Sequence, residues 1–569
     1  MMKRGKKIWA RTRLLVLAGL VAFTVPATGP WMAGNKAEAA PVFTHSGILY
    51  EQSDFDRAKT NIASGTSPWI EAWETGKQNK YASSTYNPSP VAAPARYGDS
   101  SKNVGNQQLF DDATAALTQA IIWKVSNNAT EAAAAKAKAD QILDAWSETV
   151  NKAVGGDENQ LLAGLTAYKL AAAADIMRAD SAWVNSGKLT AAKNMLRNYF
   201  YPPLKTFLAN HQGKNNGTAY PYYYRGNQDQ AAMVSIMAIG ILCDDIAIYN
   251  EAVSAFKSGK FNGNINNYLK VSSDAMLAQS EESGRDQPHS QLGLGLLATM
   301  AQMSYVQKKG DASFEDLYEY SNRLILKGFE YTAKYNLGQS VPFAPVYTST
   351  NNSWGRVESA VSTSGRSQIR PVYSMVWNHY KYVKGLADSA ATDPVYYTRS
   401  MNAAIWPESV HTDHQPFSSL MYSRISRPAN SLSHTVSFNV KETTSYITAP
   451  SGGTSPLLAN ATLSYFKSAS NAEKFLVTYA GSGMWTLKSL ANNLYVSVSS
   501  TTDPLKAKDA SVIGNQNKFI FVDQGNGGIG IKSVQTGKFV QIKASTGQLL
   551  ADESSITSSA NDKFRLMYH

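Results

Sequence analysis

The sequence predicts two architectures in one chain, an N-terminal (α/α) toroid followed by a C-terminal β-trefoil. Three observations carry this. Between Ser53 and about residue 422, apolar residues recur at helical spacing in about ten segments joined by turns, the pattern of helices paired into a ring. Near Ser423–Ser433 (SRISRPANSLS) that periodicity stops and short alternating strands begin. Residues 434–569 then hold three copies of a unit of about 45 residues. A unit that small cannot bury a face alone, so the copies must close on one another.

In chain order, residues 1–40 read as a secretory signal. A basic start precedes the apolar run Leu14–Val25, then Pro26 and an A-x-A site at Ala37-Glu38-Ala39. Such a run is shorter than the ~20 residues needed to cross a bilayer, and no later segment is long and apolar enough to span one. The mature chain is therefore expected to be secreted, extracellular or periplasmic. The leader holds seven of the 54 basic side chains and one of the 43 acids, leaving 47 against 42. A mildly basic protein with no basic run outside its leader suits a polyanionic ligand and gives no footprint for nucleic acid. Cys243 is the only cysteine, so no intrachain disulfide forms and stability must come from the core.

Residues 41–422 supply the helical domain. Glu131–Trp146 is Ala-rich with Ile142, Leu143 and Trp146 at helical spacing. Further helices are expected over Asp54–Trp73, Asn106–Lys124, Asp157–Arg178, Leu189–Asn210, Gln230–Phe256, Asn266–Gln279, His289–Val306, Phe314–Tyr335 and Tyr373–Leu386. Two loops interrupt them, Lys80–Lys102 and Gly213–Asn227. The second carries Tyr220, Tyr222, Tyr223, Tyr224 and Arg225, and reads as lining or covering a cleft. Residues 423–433 read as a linker.

The repeat in 434–569 is explicit. Glu473-Lys474-Phe475, Asn517-Lys518-Phe519 and Asp562-Lys563-Phe564 recur at intervals of 44 and 45. Leu487-Lys488-Ser489 and Ile531-Lys532-Ser533 recur at 44, with Tyr495 and Phe539, and Tyr446 in the first copy, at matching positions. Pro456-Leu457, Pro504-Leu505 and Gln548-Leu549 complete the unit.

The densest cluster of chemistry is Gln279–Leu297 (QSEESGRDQPHSQLGLGLL), with Glu281, Glu282, Arg285, Asp286, Gln287 and His289 just before an apolar helical run. Pro288 fits the first turn of that helix. His289 lies near its positive end, which favours an imidazole able to accept a proton. A histidine there serves equally as a local cap. ESGRDQPHSQLGLGLL resembles the central motif of the alginate-lyase-like superfamily of polysaccharide lyases. Asn227–Asp245, Ser321–Asn336, Arg370–Tyr380 (RPVYSMVWNHY) and Asp157–Gly164 match in the same order, over roughly residues 45 to 422. The resemblance implies an incomplete (α/α) barrel with a cleft at one end and cleavage of an acidic, uronate-containing polysaccharide, of alginate or glucuronan type, by β-elimination. The C-terminal pattern is similar to fascin-like, ricin-like and other sugar-binding trefoils, a resemblance that implies a carbohydrate-binding module, with a stabilising spacer as the alternative.

Elimination removes a weakly acidic C5 proton next to a carboxylate. It needs donors that neutralise that carboxylate, a base at C5 and an acid at the bridging oxygen. Arg, Asn and His can supply these without metal or cofactor, so none is expected. The resemblance places His289 as base or neutraliser and Asn227 as a carboxylate donor, though Gln228 departs from the family's GNW-type turn. Arg370 is a bidentate carboxylate grip, with Arg366 as competitor. Tyr373 is the expected proton shuttle, its hydroxyl made more acidic by Arg370 and His289, with Tyr380 as competitor. Trp377 stands where many relatives have Tyr. Tyr224, Arg225, Arg285, Gln287, Arg366, Trp377 and Tyr380 are expected to line the substrate site. Tyr373, Trp377 and Tyr380 at helical spacing read equally as core.

Two rival readings stay open. Asp244-Asp245 or Glu281-Glu282 can serve as the acid pair of a glycoside hydrolase. The chain can also be a non-catalytic carbohydrate-binding surface protein. His411-Thr412-Asp413-His414 looks like part of a metal site but has no further ligand cluster beside it in sequence.

Overall fold

Helices of two kinds build the N-terminal region. The chain enters through α1 (Gln52–Ala63) and α2 (Trp69–Gly76), since the single helix expected over Asp54–Trp73 is broken before Pro68. α3 (Asn106–Val125) is buried along most of its length, whereas α4 (Ala129–Thr149) buries one stripe, Ala135, Ala139, Ile142, Leu143 and Trp146. α5 (Asn159–Met177) is buried on all sides. After α6 (Ser181–Asn185), α7 (Lys188–Met195) and α8 (Tyr201–Asn210), α9 (Gly226–Leu242) is again buried throughout, and α10 (Ile246–Ser258) packs on it. Helices apolar all round belong inside and striped ones outside. α3, α5, α9 and the later α12 (Gln287–Gly310) therefore form an inner layer with α4 and α10 outside it. Gly164 lets α5 approach α9 closely, because a Cβ there would lie 2.4 Å from the Ala231 carbonyl oxygen.

The circuit continues through α13 (Tyr320–Asn336), α14 (Tyr373–Asn378), α15 (Tyr396–Ala404) and α16 (Ser418–Tyr422). α12 packs on α13, α13 on α15, α15 on α14, α14 on α16, α16 on α1 and α1 on α3. The structure, a computed structural model, describes residues 41–210, 224–350, 353–366, 368–404, 410–426, 433–441, 443–450, 455–463, 466–525, 528–557 and 559–569. Pro41–His569 make one compact unit. The leader, Tyr220, Tyr222, Tyr223 and residues 427–432 of the expected linker lie outside the described residues.

Two expectations for this region need correction. Asn266–Gln279 is not one helix. After the short α11 (Ile265–Tyr268) it becomes a hairpin of β1 (Leu269–Val271) and β2 (Ala278–Ser280). Ser272 and Asp274 take the intervening backbone into a turn, with the Ser272 hydroxyl accepting from the Asp274 N–H at 3.2 Å. A second hairpin, β3 (Val346–Thr350) and β4 (Ser353–Glu358), has no counterpart in the sequence reading. Gln230–Phe256 also splits, because Asp244 turns to φ 57° and Asp245 caps α10.

The C-terminal region is a trefoil-like β-barrel. Its strands are β5 (Ser433–Val440), β6 (Ser445–Thr448), β7 (Leu458–Thr462), β8 (Phe475–Tyr479), β9 (Met484–Ser489), β10 (Tyr495–Ser497), β11 (Lys506–Asp509), β12 (Lys518–Gly525), β13 (Gly528–Ser533), β14 (Phe539–Ile542), β15 (Leu549–Glu553) and β16 (Phe564–Tyr568). β5, β8, β9, β12, β13 and β16 pair in that order, and β16 returns to β5, closing a six-stranded ring. The hairpins β6–β7, β10–β11 and β14–β15 stand outside the ring. The repeated leucines tie them together: the Leu457 N–H donates to Leu505 O, Leu505 to Leu549 O and Leu549 to Leu457 O, at 2.8, 2.9 and 3.3 Å. Phe475, Phe519 and Phe564 from the repeated tripeptides are all buried.

Candidate active site

The inner helices bring their N-terminal ends together. Gln160 at the start of α5 donates to Gln228 at the start of α9 at 2.6 Å, and Asn106, Glu158 and Pro288 line one cavity. At the start of α12, Asp286 is the N-cap. Its Oδ1 accepts the His289 backbone N–H at 2.7 Å, while its Oδ2 lies 2.7 Å from His289 Nδ1. Arg285 Nη2 lies 3.1 Å from His289 Nε2. A guanidinium has no acceptor, so Nε2 accepts and Nδ1 carries the hydrogen given to Asp286. Burial opposes ionisation of Asp286, but its bonds from His289 hold its carboxyl below the usual range. His289 and Arg285 are open to solvent, with side chains 37% and 32% exposed.

Behind this face lies a buried acidic layer. Asn227 donates to both Glu282 oxygens at 2.7 and 2.9 Å, and Arg285 Nη1 reaches the same carboxylate at 3.2 Å. Burial and the neighbouring Glu281 push the Glu282 carboxyl up to about 7. Glu281 is also raised by burial. It accepts from Arg225 at 3.1 Å and from the Gly226 N–H at 3.2 Å. Arg225 reaches across to Glu358 at the end of β4 at 2.8 Å, which fixes the β3–β4 hairpin to this layer.

On the other side of Pro288 is a cavity of about 710 Å³. Arg370 lines it, donating from Nε to the Pro288 carbonyl at 2.7 Å and from Nη1 to Asp413 at 2.6 Å. His411 Nδ1 and His414 Nε2 lie 3.4 Å from the same Nη1. The His411-Thr412-Asp413-His414 segment thus converges on a guanidinium. Burial and Arg370 push the His411 imidazole down to about 3. Burial opposes ionisation of Asp413, but Arg370 holds its carboxyl well below the usual range. Beneath this segment Lys169, wholly buried, bonds to Thr114 and the Thr412 carbonyl, and burial lowers its ammonium to about 7.

The structure therefore gathers Asn227, Arg225, Arg285, Asp286, His289 and Arg370 at one end of the helical region. Tyr224 stands at its margin with its ring edge-on to Phe207 at 4.8 Å. Other expected site residues do not join them. Tyr373 is fully buried, its hydroxyl 3.3 Å from Gln291 Oε1 and its ring against Phe329; burial and Glu330 raise its pKa. Tyr380 is fully buried and donates to the Tyr318 carbonyl at 2.7 Å, and burial raises it further. Trp377 donates to Asp388 at 3.0 Å inside the fold. The helical spacing of these three marked a core stripe. Gln287 is buried, giving N–H to the Ser362 carbonyl and accepting from Asn336. Arg366 binds the carbonyls of Tyr335 and Gln339 beyond α13 and stacks on Tyr335 at 3.9 Å. Asn227 is spent on Glu282 rather than turned outward.

Residues missed at the sequence level are Glu358, Asp413 and His411 as partners of Arg225 and Arg370, and Tyr97 and Arg96 on the cavity wall. Charge complementarity was the one available signal, and it does not reveal which of many acids an arginine meets. Asp244 and Asp245 are excluded from this end. They follow α9, about 25 Å along its axis from Asn227 at 1.5 Å per residue, and pair with His45, Lys193 and Arg197.

No protein-family model and no curated protein matches the chain. Its solved structural neighbours include a designed three-fold symmetric protein, ThreeFoil, with 17% identity over 23% of this chain and 97% of that one, at a TM-score of 0.20. A Polyporus squamosus lectin bound to a human-type influenza-binding epitope has 15% identity over 24% and 49%, at 0.21. The BEL β-trefoil has 12% identity over 25% and 96%, at 0.21. The trefoil-like description rests on the strand pairing itself. Among the described residues no helix is long and apolar enough to cross a membrane.

Proposed function

We propose that this chain is a secreted polysaccharide lyase that cleaves a uronate-containing polymer by β-elimination. In this reading the helical region is an incomplete (α/α) toroid, which the closed circuit of helix contacts supports, and the trefoil is a carbohydrate-binding partner. The observation that carries the proposal is the Asp286–His289–Arg285 arrangement at the open end of α12. Asp286 fixes the imidazole so that Nε2 faces Arg285 with its lone pair. A substrate carboxylate draws Arg285 to itself, which neutralises the carboxylate and uncovers Nε2 in one movement. Nε2 then takes the C5 proton, the C4–C5 double bond forms, and the C4–O4 bond breaks as O4 is protonated. Arg370, one residue from His289 through the Pro288 carbonyl, supplies a second cation. Tyr97 lines the cavity on the other side of Pro288, whereas Tyr373 and Tyr380 are buried, and in this reading it is the tyrosine that serves O4.

The hydrolase alternative draws less support. The Glu281 and Glu282 side chains are buried and are taken up by Arg225, Asn227 and Arg285, whereas a hydrolase needs its two carboxyl groups to flank a sugar. The test is ultraviolet absorbance of an unsaturated uronate on incubation with alginate, glucuronan, hyaluronan or pectic polymers. Reducing ends without that absorbance would favour hydrolysis, and no product at all would favour a binder.

A further inference from the structure

The barrel carries most of the charge excess of the chain that follows the leader. Residues 434–569 hold 12 of its 47 basic side chains and 8 of its 42 acids, so four of the five net positive charges fall there. Some of these lysines are spent on acids of the barrel: Lys506 meets Asp503 at 3.3 Å and Lys543 meets Asp552 at 2.6 Å. Lys488 and Lys532 are not. Among the described residues neither ammonium has a carboxylate within ion-pair distance. Each lies over an aromatic ring instead, Lys488 at 5.2 Å from the centre of Tyr495 and Lys532 at 5.7 Å from that of Phe539. We propose that Lys488 with Tyr495, and Lys532 with Phe539, form two equivalent subsites at which the barrel holds a uronate-bearing polysaccharide strand. The inference deepens the carbohydrate-binding part given to the barrel and rests on the lyase reading only for the choice of polymer.

The repeat supports it first. Lys488 stands opposite Tyr495 across β9 and β10, and Lys532 opposite Phe539 across β13 and β14, the same pair on equivalent strands. Directly opposed residues of an antiparallel pair share one face of the sheet. The comparison with the first copy supports it next. Tyr495 and Phe539 are half-buried, and neither ring joins the packed core. In the first copy the same place is held by Asn439 opposite Tyr446. Tyr446 is only 6% exposed and packs with Phe466 and Met567. So the lysine is present where the ring is uncovered and absent where the ring fills an apolar cluster. The chemistry fits a uronate. A sugar ring offers an apolar C–H face to an aromatic platform, and the carboxylate on that ring meets the ammonium beside it. An exposed ammonium held only by a ring is weakly held, and its flexible stem lets it turn to a carboxylate. The next residue in each row is an acid, but Asp509 accepts from Asn517 at 2.8 Å and Glu553 from Gln541, so each is bonded to an amide and not to the lysine. Two subsites that take the same strand reinforce each other, because a polymer bound at one is concentrated at the other.

The test is affinity electrophoresis of the full-length protein, carrying His289→Ala so that no turnover consumes the polymer, in native gels containing alginate, glucuronan or neutral dextran. At least one uronate polymer should retard it, less so as salt is added, and dextran should not; equal retardation by dextran overturns the anionic ligand. Lys488→Gln and Lys532→Gln should each weaken the affinity about threefold, and the double variant about tenfold. Wild-type affinity in the folded double variant overturns the subsites. Lys543→Gln removes the same charge from a lysine spent on Asp552 and should change nothing; a loss equal to that of Lys488→Gln reduces the effect to net charge and overturns them too. Tyr495→Leu and Phe539→Leu keep apolar bulk without the flat ring and should also weaken binding about threefold; unchanged affinity in both overturns the aromatic platform. With His289 intact, the double lysine variant should turn over uronate tetrasaccharides within about twofold of wild type. If no protein turns them over while the lysine variants still lose retardation, the lyase reading falls and the subsites stand.

Discussion

Arg285, in the turn before α12, and His289, in its first turn, stand with 3.1 Å between Nη2 and Nε2, so the proton-accepting nitrogen of the imidazole is covered by a cation. The same guanidinium rests on the buried Glu282 at 3.2 Å. A group with two alternative anionic partners, one in the protein and one on the substrate, can move between them at little cost. Arg285→Ala uncovers Nε2 permanently but removes the carboxylate contact. The expected result is a kcat/KM lower by about 10²-fold, with part of the loss in KM. Arg285→Lys keeps the charge without the planar fork and should recover only part of it.

Asp286 performs two tasks that one substitution can separate. In Asp286→Asn the side-chain oxygen still accepts the His289 backbone N–H, so the helix stays capped. The amide, however, donates to Nδ1 and moves the imidazole hydrogen to Nε2, which is then no base. Activity should fall by about 10²- to 10⁴-fold while the melting temperature stays within a few degrees of wild type. Comparable loss of both would assign Asp286 to folding alone.

The tyrosines of α14 behave as core. Tyr373→Phe and Tyr380→Phe should each lower stability by roughly 0.5–1.5 kcal/mol, the worth of a buried hydrogen bond. Both should leave kcat near wild type, since their hydroxyls meet Gln291 and the Tyr318 carbonyl. Tyr97→Phe should be the variant whose kcat falls, measured on soluble oligomers. Normal turnover in Tyr97→Phe would place the acid elsewhere.

These residues show what the sequence can and cannot disclose. The inner helices were legible because α5 and α9 are apolar on every side, and the barrel was legible because its phenylalanine and leucine positions repeat at 44 and 45 residues. Asp286 was not read as the cap of α12 or as the partner of His289, but the start of α12 was legible because Pro288 and an apolar run follow the polar cluster in order. Tyr373, Trp377 and Tyr380 were not, since spacing gives a face and not what the face meets. Arg370 with Asp413 joins positions 43 apart, and Arg225 with Glu358 joins positions 133 apart. Local pattern carries no trace of such pairs. The β3–β4 hairpin escaped for the same reason, because Glu358 earns its place through a partner on another element.

Glu282 makes stability depend on pH. Its carboxyl is raised from the ordinary 4.5 to about 7 in the folded protein, so the fold binds its proton more tightly than the unfolded chain does. This contribution is full below about pH 4.5 and is lost as pH rises through 7. Glu282→Gln keeps an acceptor for Asn227 without the charge. Between pH 4.5 and 7 its melting temperature should fall less steeply than that of wild type. The largest difference expected is on the order of 3 kcal/mol. Parallel profiles would show that Glu282 titrates normally.

The central claim is that His289 removes a proton from a uronate. It is tested most directly by following ultraviolet absorbance when wild-type and His289→Ala proteins are mixed with alginate and with glucuronan. The account predicts that wild type forms the unsaturated product on at least one of them, and that folded His289→Ala forms none while still binding the polymer. Equal rates from the two proteins would contradict it.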